Sequence, residues 1–214
     1  MNVLVLSDNL PLLQRAKPIF MRYSGAKFLF TDSDAINPQL DYKHITDHFQ
    51  LVISLHCKKL FPSEVFDKVR CVNIHPGFNP YNRGMFPHVW SIINGLPAGA
   101  TIHEIDYTID GGGIIAQKQV EVLQADTSHT LYIRVIEAEF DLLNVNLESV
   151  VEGSYAKFHP ETKGNYNSIE DYNKLCNVGD MPEHLFNRLR ALSHAPHWNA
   201  TYNGLKIKLD IKQQ

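Results

Sequence analysis

Short apolar runs alternate with polar, turn-forming segments along the first half of the chain. Four runs are rich in aliphatic and β-branched residues and predict buried strands: Asn2–Leu6, Ala26–Phe30, Leu51–Leu55 and Val72–His75. Helix-start residues and apolar spacing predict three helices: Pro11–Tyr23, Pro62 to just before Arg70, and Phe86–Asn94. Strands that alternate with helices indicate an open, mostly parallel α/β sheet.

The second half of the pattern predicts a hairpin and one long helix. Ala100–Tyr107 and Ile114–Val122 are strand-like, and the turn-forming residues Thr108–Gly113 lie between them. From Ser128 to Val151, apolar side chains recur at helical spacing. We expect this helix to close the main domain.

The character of the chain changes after Gly153, where turn-forming and aromatic residues replace the helical pattern. Asn203-Gly204 stands between two alternating runs within Ala200–Ile211, which is a strong hairpin signal. We therefore expect a main domain over residues 1–153 and a small C-terminal extension over residues 154–214 that ends in a β-hairpin.

The composition is that of an ordinary globular protein, since 44% of the 214 residues are hydrophobic and 20% are charged. The formal net charge is −3 and no dense run of Lys or Arg occurs, which argues against a nucleic-acid partner. The first residues lack the features of a signal peptide, and no window is long and apolar enough to span a membrane. The expectation is a cytoplasmic protein.

The spacing of cysteines and histidines predicts neither disulfides nor a metal site. Cys57, Cys71 and Cys176 are odd in number and form no CxxC pair, so we expect reduced thiols. The chain has eleven histidines but no HExxH motif, and those near the apolar strand ends lie on separate predicted elements.

The segment Asn73–Gly84, NIHPGFNPYNRG, holds the first candidate chemistry. Asn73 and His75 end a predicted central strand, and alternation along the strand sends both side chains to one face. Asp110 lies in the turn after a later strand, and ligands bind beyond the carboxyl ends of strands in open α/β sheets, so all three can meet there. An amide, an imidazole and a carboxylate suit acyl transfer to an amine. No GxSxG motif or activated cysteine offers a covalent nucleophile.

Three spaced motifs together resemble the folate-dependent formyltransferase family. They are Asn73-Ile74-His75-Pro76, Ala100–Glu104 and Ile109–Gln117. The resemblance covers residues 1–153, which would then be the catalytic domain. It implies a Rossmann-like sheet with helices on both faces, 10-formyltetrahydrofolate as the cosubstrate and no metal.

The resemblance also implies roles for the three polar side chains. The family's catalytic Asn, His and Asp fall on Asn73, His75 and Asp110. Asn73 would stabilise the tetrahedral oxyanion, and His75 would take a proton from the amine or stabilise the intermediate. Asp110 would set the protonation of His75 and help to move protons to the leaving folate nitrogen. Whether His75 or Asp110 is the base stays open.

Two further groups of residues follow from the same resemblance. In the family, the backbone of two segments holds the pterin, and here these segments contribute Ser54, Leu55, His56, Cys57, Lys58, Leu60, Ile105, Asp106, Tyr107 and Asp110. The expected contacts to the acceptor are Phe78, Asn79, Tyr81, Arg83, Gly84 and His103.

Among family members, the chain most resembles those that formylate a dTDP-linked amino-dideoxy sugar for surface polysaccharide, such as the O-antigen of lipopolysaccharide. Aromatic residues and Arg83 in the loop Phe78–Gly84, and the stretch Arg188–Trp198, suit a sugar, a thymine or a pyrophosphate. The preferred acceptor is dTDP-4-amino-4,6-dideoxyglucose, and the 3-amino isomer stays open. The resemblance also implies a homodimer.

Other functions remain as alternatives: glycinamide ribonucleotide or methionyl-tRNA as acceptor, a formyltetrahydrofolate hydrolase, and a non-catalytic folate or nucleotide-sugar binding module. The short C-terminal part and the negative charge disfavour a tRNA. Hydrolases usually carry an extra N-terminal region, whereas this chain starts directly with the core strand. Plain structural roles also compete: strand caps for Asn73 and His75, a turn for Asp110, a solvated loop charge for Arg83 and a core position for His103.

Overall fold

The computed structural model describes residues 1–176, 178–194, 197–198 and 200–208. The side chains of 188, 190, 193, 194, 197 and 198 lie outside this description. The chain forms two compact units, Met1–Ile169 and Glu170–Gln214. Among the described residues, no helix is long and apolar enough to cross a membrane.

The secondary structure of the described residues consists of short strands and seven helices. The strands are β1 (Asn2–Leu6), β2 (Lys27–Thr31), β3 (Leu51–Leu55), β4 (Arg70–His75), β5 (Arg83–Gly84), β6 (Ala98–Glu104), β7 (Ile114–Val120), β8 (Tyr166–Asn167), β9 (Ser193–His194), β10 (His197–Trp198), β11 (Thr201–Tyr202) and β12 (Leu205–Lys206). The helices are α1 (Leu10–Phe20), α2 (Tyr42–His48), α3 (Ser63–Phe66), α4 (Pro87–Asn94), α5 (Ser128–Glu152), α6 (Ile169–Leu175) and α7 (Glu183–Leu192).

One large sheet organises the first unit, with strand order β2-β1-β3-β4-β6-β7. The first four strands of this order run parallel, whereas β6 is antiparallel to both β4 and β7. Helices α1 and α5 pack on one face, and α2 and α3 pack on the other. The predicted open, mostly parallel α/β sheet with helices on both faces is confirmed.

The alternation of side chains decides which face carries the polar groups. In β4, Val72 and Ile74 are fully or almost fully buried in the core that includes α1 and α5. Asn73 and His75 alternate with them and therefore face the α2 and α3 side. The antiparallel register pairs Asn73 with His103 of β6, so a third polar side chain joins this face.

Several elements differ from the sequence prediction. Helix α3 ends at Phe66 rather than just before Arg70, strand β7 ends at Val120 rather than at Val122, and β6 and α2 differ as well. Strand β6 ends at Glu104 rather than at Tyr107. The N–H of Ile105 still donates to the carbonyl of Cys71 in β4, and the chain turns directly afterwards, where Asp106 accepts the N–H of Thr108. Residues 105–113 then form a loop that turns back over the sheet edge. Helix α2 was not predicted, since Ile45 is its only buried residue and gives no apolar periodicity.

The segment after α5 returns to the sheet instead of leaving it. The helix ends at Gly153, whose φ is 74°. Phe158 then forms an antiparallel bridge with Ile114, and β8 pairs in parallel with β5. For this reason the compact unit extends to Ile169, beyond the domain boundary expected at residue 153.

The second unit contains α6, α7 and two short antiparallel pairs, β9 with β10 and β11 with β12. Asn203 and Gly204 connect β11 to β12, and both have positive φ values, 48° and 79°. Such values are required by the tight hairpin turn that the Asn-Gly pair predicts. The predicted hairpin is present, and its expected part from residue 209 onward lies outside the described residues.

Candidate active site

Asp110 joins Asn73 near the carboxyl end of β4. The loop of residues 105–113 carries Asp110 back over this end of the strand, and Asn73 Nδ2 donates to Asp110 Oδ1 at 3.2 Å. Asp110 has a positive φ of 49°, which bends the loop at this position. The sequence predicted that the two residues meet at a shared carboxyl edge, but β6 is antiparallel to β4. The meeting therefore depends on the returning loop.

His103 completes the surroundings of the Asn73 amide. Its Nδ1 lies 2.7 Å from the carbonyl oxygen of Glu104, which can only accept, so Nδ1 carries the proton. In the neutral ring, Nε2 is then an acceptor, and it lies 3.3 Å from Asn73 Nδ2. Both amide hydrogens of Asn73 are thus engaged, one by Asp110 and one by His103. His103 is 1% exposed, which makes it part of the supporting network.

His75 presents one ring nitrogen to the carboxylate and the other to a buried space. Nδ1 lies 3.6 Å from Asp110 Oδ2, whereas Nε2 is buried and has no hydrogen-bond partner among the described residues. Burial lowers the pKa of His75 to about 4, although Asp110 acts in the opposite direction. The ring is therefore neutral near pH 7. A proton on Nδ1 faces the carboxylate best, which leaves a lone pair on Nε2.

Asp110 remains a carboxylate in these surroundings. Burial by itself would raise its pKa, but the ring of His75, whose Nδ1 faces the carboxylate, acts in the opposite direction, and the pKa of Asp110 lies below its usual range. The backbone N–H of Gly84 contributes in the same direction by donating to Asp110 Oδ2 at 3.0 Å.

The loop expected to bind the acceptor also holds the catalytic loop in place. Asn79 is 3% exposed, and its Nδ2 donates to the carbonyl of Asp110 at 2.8 Å. Arg83 Nη1 donates to the carbonyl of Ile109 at 3.1 Å. Thr101 Oγ1 accepts the N–H of Asn79 at 3.1 Å and donates to the Gly77 carbonyl at 2.7 Å. Asn79 and Arg83 thus hold the backbone of the catalytic loop at Asp110 and at Ile109.

Two of the expected acceptor contacts in this loop, Phe78 and Tyr81, are only partly buried. The N–H of Tyr81 donates to the carbonyl of Phe78 at 3.1 Å, which closes a turn. Phe78 and Tyr81 both keep part of their surface exposed. These two aromatic rings therefore keep surface that can reach a ligand.

A buried asparagine clamp fixes the middle of the same loop. Asn82 is fully buried, and its Oδ1 accepts from Asn165 Nδ2 at 2.8 Å and from Asn94 Nδ2 at 3.1 Å. In return, Asn165 Oδ1 accepts the N–H of Asn82 at 2.8 Å. Asn82 Nδ2 donates to Ser91 Oγ. Asn82, the centre of the clamp, lies two residues before Gly84, whose N–H donates to Asp110 Oδ2.

Gly112 allows the catalytic loop to fold tightly. A Cβ atom at this position would lie 2.0 Å from the carbonyl oxygen of Glu104 and 2.8 Å from its carbon. Both are backbone atoms that cannot rotate away. Only glycine fits where the loop approaches β6 this closely. Close packing of the loop against β6 therefore explains the glycine at the centre of Gly111–Gly113.

The residues expected at the folate lie along two separate segments. Ser54 and Leu55 are buried, and Leu55 belongs to the core on the α1 and α5 side, so it can reach a ligand only through its backbone. Burial raises the pKa of Cys57 to about 11, which keeps its thiol protonated. The backbone N–H of Lys58 donates to Asp8 Oδ2 at 2.7 Å. Leu60 is 57% exposed.

The second expected folate segment lies in the catalytic loop. Ile105 packs against the core on the α2 and α3 side. Asp106 accepts the N–H of Thr108 at 2.7 Å, which shapes the turn before Asp110. Tyr107 is 78% exposed, and its hydroxyl donates to Asp67 at 2.9 Å.

No group of three or more His, Cys, Asp or Glu side chains is arranged to hold a metal ion within the part of the chain that the structure describes. His44 and His48 lie one turn apart in α2, and their rings pack with centroids 4.5 Å apart. Of the stretch Arg188–Trp198, the side chains at 188, 190 and 193–198 lie outside the described residues.

Sequence reasoning missed the side chains that support the site. Thr101 lies in a predicted strand and alternates toward the polar face, so its position was accessible from the pattern. Asn82 was within the singled-out loop, but its partner Asn165 lies in the expected C-terminal extension. No pattern in the sequence joins these two positions. A buried pair, His56 with Glu139 of α5, was missed as well.

The comparisons with known proteins agree with this geometry. The sequence profile described as formyl transferase matches residues 10–147. The dTDP-4-amino-4,6-dideoxyglucose formyltransferase of Mycobacterium tuberculosis is 45% identical over 163 residues, which is 74% of this chain and 69% of that protein.

Two solved structures match the whole chain. A 4-N formyltransferase from Francisella tularensis has a TM-score of 0.79 and 32% identity, and the match covers 98% of that chain. A sugar N-formyltransferase from a Shewanella species has a TM-score of 0.78 and 37% identity, with 99% of that chain covered. Together with the profile match over more than half of the sequence, these likenesses identify the chain as a formyltransferase that belongs to the formyl transferase family.

Proposed function

We propose that this enzyme transfers the formyl group of 10-formyltetrahydrofolate to the amino group of a dTDP-linked amino-dideoxy sugar, preferably dTDP-4-amino-4,6-dideoxyglucose. The observation that carries the proposal is the convergence of Asn73, His75 and Asp110 on one polar face at the end of β4. The likeness to sugar N-formyltransferases over the whole chain supports the choice of acceptor.

The geometry supports His75 as the group that accepts the amine proton. In the reaction, the amine nitrogen attacks the formyl carbon, and the bond from that carbon to the folate nitrogen breaks. The amine must lose a proton, and the folate nitrogen must gain one. The neutral His75 ring has its free nitrogen, Nε2, in a buried space, which suits a general base at neutral pH.

Asn73 is the best-placed donor to the developing oxyanion. Its amide hydrogens are divided between Asp110, at 3.2 Å, and His103, at 3.3 Å. The bond to His103 is the longer one and joins two neutral groups, so it is the weaker of the two. An oxyanion that replaces His103 as the acceptor gains a charge-assisted hydrogen bond.

Asp110 has a fixed negative charge in this mechanism. It orients the imidazole of His75 and stabilises the imidazolium that forms when the proton is taken up. Because the pKa of Asp110 lies below its usual range, the carboxylate is a poor base by comparison with His75. This supports His75 as the base.

The two loops that flank the catalytic side chains suit a folate. The partly buried Cys57 segment and the loop around Asp106 supply backbone polar groups next to apolar side chains. That combination fits the hydrogen-bonding edge and the flat face of a pterin. A folate bound here would bring its formyl group to the Asn73 amide.

The acceptor can be identified by following the release of tetrahydrofolate from 10-formyltetrahydrofolate. The assay would use dTDP-4-amino-4,6-dideoxyglucose, its 3-amino isomer, glycinamide ribonucleotide, methionyl-tRNA, and water alone. We expect release that depends on the 4-amino sugar, with a product heavier by one formyl group. Release at the same rate in water would instead identify a hydrolase, and tight folate binding without release would support a binding module.

The wider setting is part of the same proposal. An amino sugar linked to dTDP is an activated precursor, so its formylation would serve the synthesis of a surface polysaccharide such as an O-antigen. A cytoplasmic location and a homodimer complete the proposal, and the homodimer is what the resemblance to the sugar enzymes implies. Size-exclusion chromatography with light scattering would test the dimer directly.

A further inference from the structure

The catalytic cluster leaves a buried acid on α5 unexplained. Glu139 follows Val135 and Ile136 on the helix face that packs against the sheet, and its side chain is fully buried. Both of its carboxylate oxygens lie close to His56 Nε2, at 2.9 and 3.0 Å. Burial raises the pKa of Glu139, and His56 acts in the opposite direction. A buried carboxylate with a polar partner is often no more stabilising than apolar residues of similar size, so packing alone does not account for Glu139.

The backbone turns the His56 ring toward this acid. His56 directly follows β3, in which Ile53 and Leu55 face the α1 and α5 side. Continued alternation would send His56 to the opposite face. Its φ of 60° lies instead in the left-handed region, which is uncommon for residues other than glycine. The ring therefore reaches α5, whereas the next residue, Cys57, packs on the α2 and α3 side.

Two more rings extend the pair into a polar surface. The Tyr132 hydroxyl lies 3.3 Å from His56 Nδ1. The ring of His88 packs on Tyr132 with centroids 4.8 Å apart. His88 Nδ1 is buried and has no hydrogen-bond partner among the described residues. We call His56, His88 and Tyr132 the imidazole–phenol wall.

The wall lies on the side of the sheet opposite to the second expected folate segment. Ile105 and Tyr107 pack on the α2 and α3 side, Tyr107 against Phe66. Tyr132 and Glu139 belong to α5, on the other side. An amine must approach the formyl carbon from a direction that the donor leaves free. The free Nε2 of His75 and the Cβ of Pro87 both lie beside Gly77, and His88 follows Pro87 in α4. An amine that gives its proton to His75 is therefore expected next to the wall.

We propose that Glu139 is a positioning residue for the acceptor and acts through His56 on the imidazole–phenol wall. His56 donates a hydrogen bond from Nε2–H to the Glu139 carboxylate. In this tautomer Nδ1 has no proton, so it accepts a hydrogen bond from the Tyr132 hydroxyl. Tyr132 Oη also accepts a hydrogen bond from the side chain of Asn9. Its second lone pair and the unpartnered Nδ1 of His88 then remain for the hydroxyl or N–H groups of a nucleotide-linked sugar. This inference rests on the proposed function, because it names a surface for the same acceptor.

Steady-state kinetics with both substrates varied separately test the assignment. The variants are Glu139→Gln, which keeps the shape of the side chain, and Tyr132→Phe, which removes only the hydroxyl. Both variants should raise the KM for dTDP-4-amino-4,6-dideoxyglucose about 10-fold, because each loses one ordered hydrogen bond. The KM for 10-formyltetrahydrofolate should stay within about twofold of the wild-type value. The control is Glu137→Gln on the same helix, since Glu137 is exposed and pairs only with Arg15 at the surface among the described residues.

Coupling between the two members of the pair provides a second test. If Glu139 acts through His56, the double variant His56→Ala with Glu139→Gln should have the same acceptor KM as His56→Ala alone. A further increase in the double variant would contradict the assignment. The assignment would also be overturned if Glu139→Gln raised the KM for the acceptor and the KM for 10-formyltetrahydrofolate equally. An unchanged acceptor KM in Tyr132→Phe would overturn it as well.

The outcomes also separate this inference from the proposed function. If the wild-type enzyme formylates the amino sugar and the variants behave like Glu137→Gln, only the positioning role falls. If the wild-type enzyme formylates none of the amino sugars, the proposed function falls, and the positioning role falls with it. Melting temperatures of all variants would identify any that fail to fold, and Tyr132→Phe, which loses a single atom, then decides the question.

Discussion

The Nδ1 atom of His75 lies 3.6 Å from Oδ2 of Asp110, while the other nitrogen of the ring is buried without a partner among the described residues. The carboxylate therefore orients the ring and stabilises the imidazolium. Asp110→Asn removes this charge with little change in volume, and we expect kcat to fall about 100-fold or more. The variant should melt close to the wild-type temperature. A kcat within threefold of wild type would exclude the role given to Asp110.

Gly77 keeps the space beside His75 open. A Cβ atom at position 77 would lie 2.5 Å from His75 Nε2 and 3.0 Å from Pro87 Cβ. Gly77→Ala should push the ring away from its position and lower kcat about 10-fold or more, because small misplacements of a base are costly. The KM for either substrate should change less than kcat. Gly95→Ala is not a suitable control, since Gly95 has a φ of 64° and would add backbone strain. An exposed position such as Asn144→Ala serves instead.

The asparagine clamp links the end of the first unit to the catalytic carboxylate. Asn165→Ala removes both side-chain hydrogen bonds to Asn82 and leaves the buried Asn82 with fewer partners. We expect the free energy of unfolding to fall by about 1–3 kcal/mol. We also expect kcat to fall, since the loop that places the Gly84 N–H on Asp110 is loosened. Urea denaturation and initial rates measure the two effects, and a stability loss with an unchanged kcat would separate the clamp from the site.

Two buried imidazoles make stability depend on pH. Burial lowers the pKa of His75 and of His88 to about 4, below the ordinary value near 6.5. Between these values the unfolded chain binds more protons than the folded chain, so stability is lost as the pH falls from about 6.5 to about 4. Each ring contributes up to about 1.4 kcal/mol per pH unit in this window. Denaturation at several pH values should give a smaller slope for His88→Gln than for wild type, and an equal slope would show that His88 is charged in the folded protein.

The alternation of side chains was sufficient to predict the common face of Asn73 and His75. A strand of known direction sends every second residue to one side, and the register of β4 agrees with that expectation. The motif resemblance placed Asp110 in the same group. The route by which Asp110 arrives differs, because β6 runs antiparallel to β4 and the loop must turn back.

The supporting contacts could not be predicted from local patterns. Asn82 and Asn165 are joined only by the tertiary fold, and neither lies in a periodic segment. Glu139 interrupts the apolar face of α5. A sequence pattern does not show whether such an acid is buried with a partner or whether the buried face of the helix was assigned to the wrong residues. His56 leaves its strand in a left-handed conformation that its residue type does not require.

The return of residues 155–167 to the sheet has a consequence for how the enzyme matures during synthesis. Asn73, His75 and Asp110 all emerge from the ribosome before α5, and α5 then completes the core on one face of the sheet that supports them. The clamp on Asn82 forms only after Asn165 has been made, together with the strand pairing of β8 with β5. A nascent chain that stops at Gly153 would therefore possess every catalytic side chain and still be a poor catalyst.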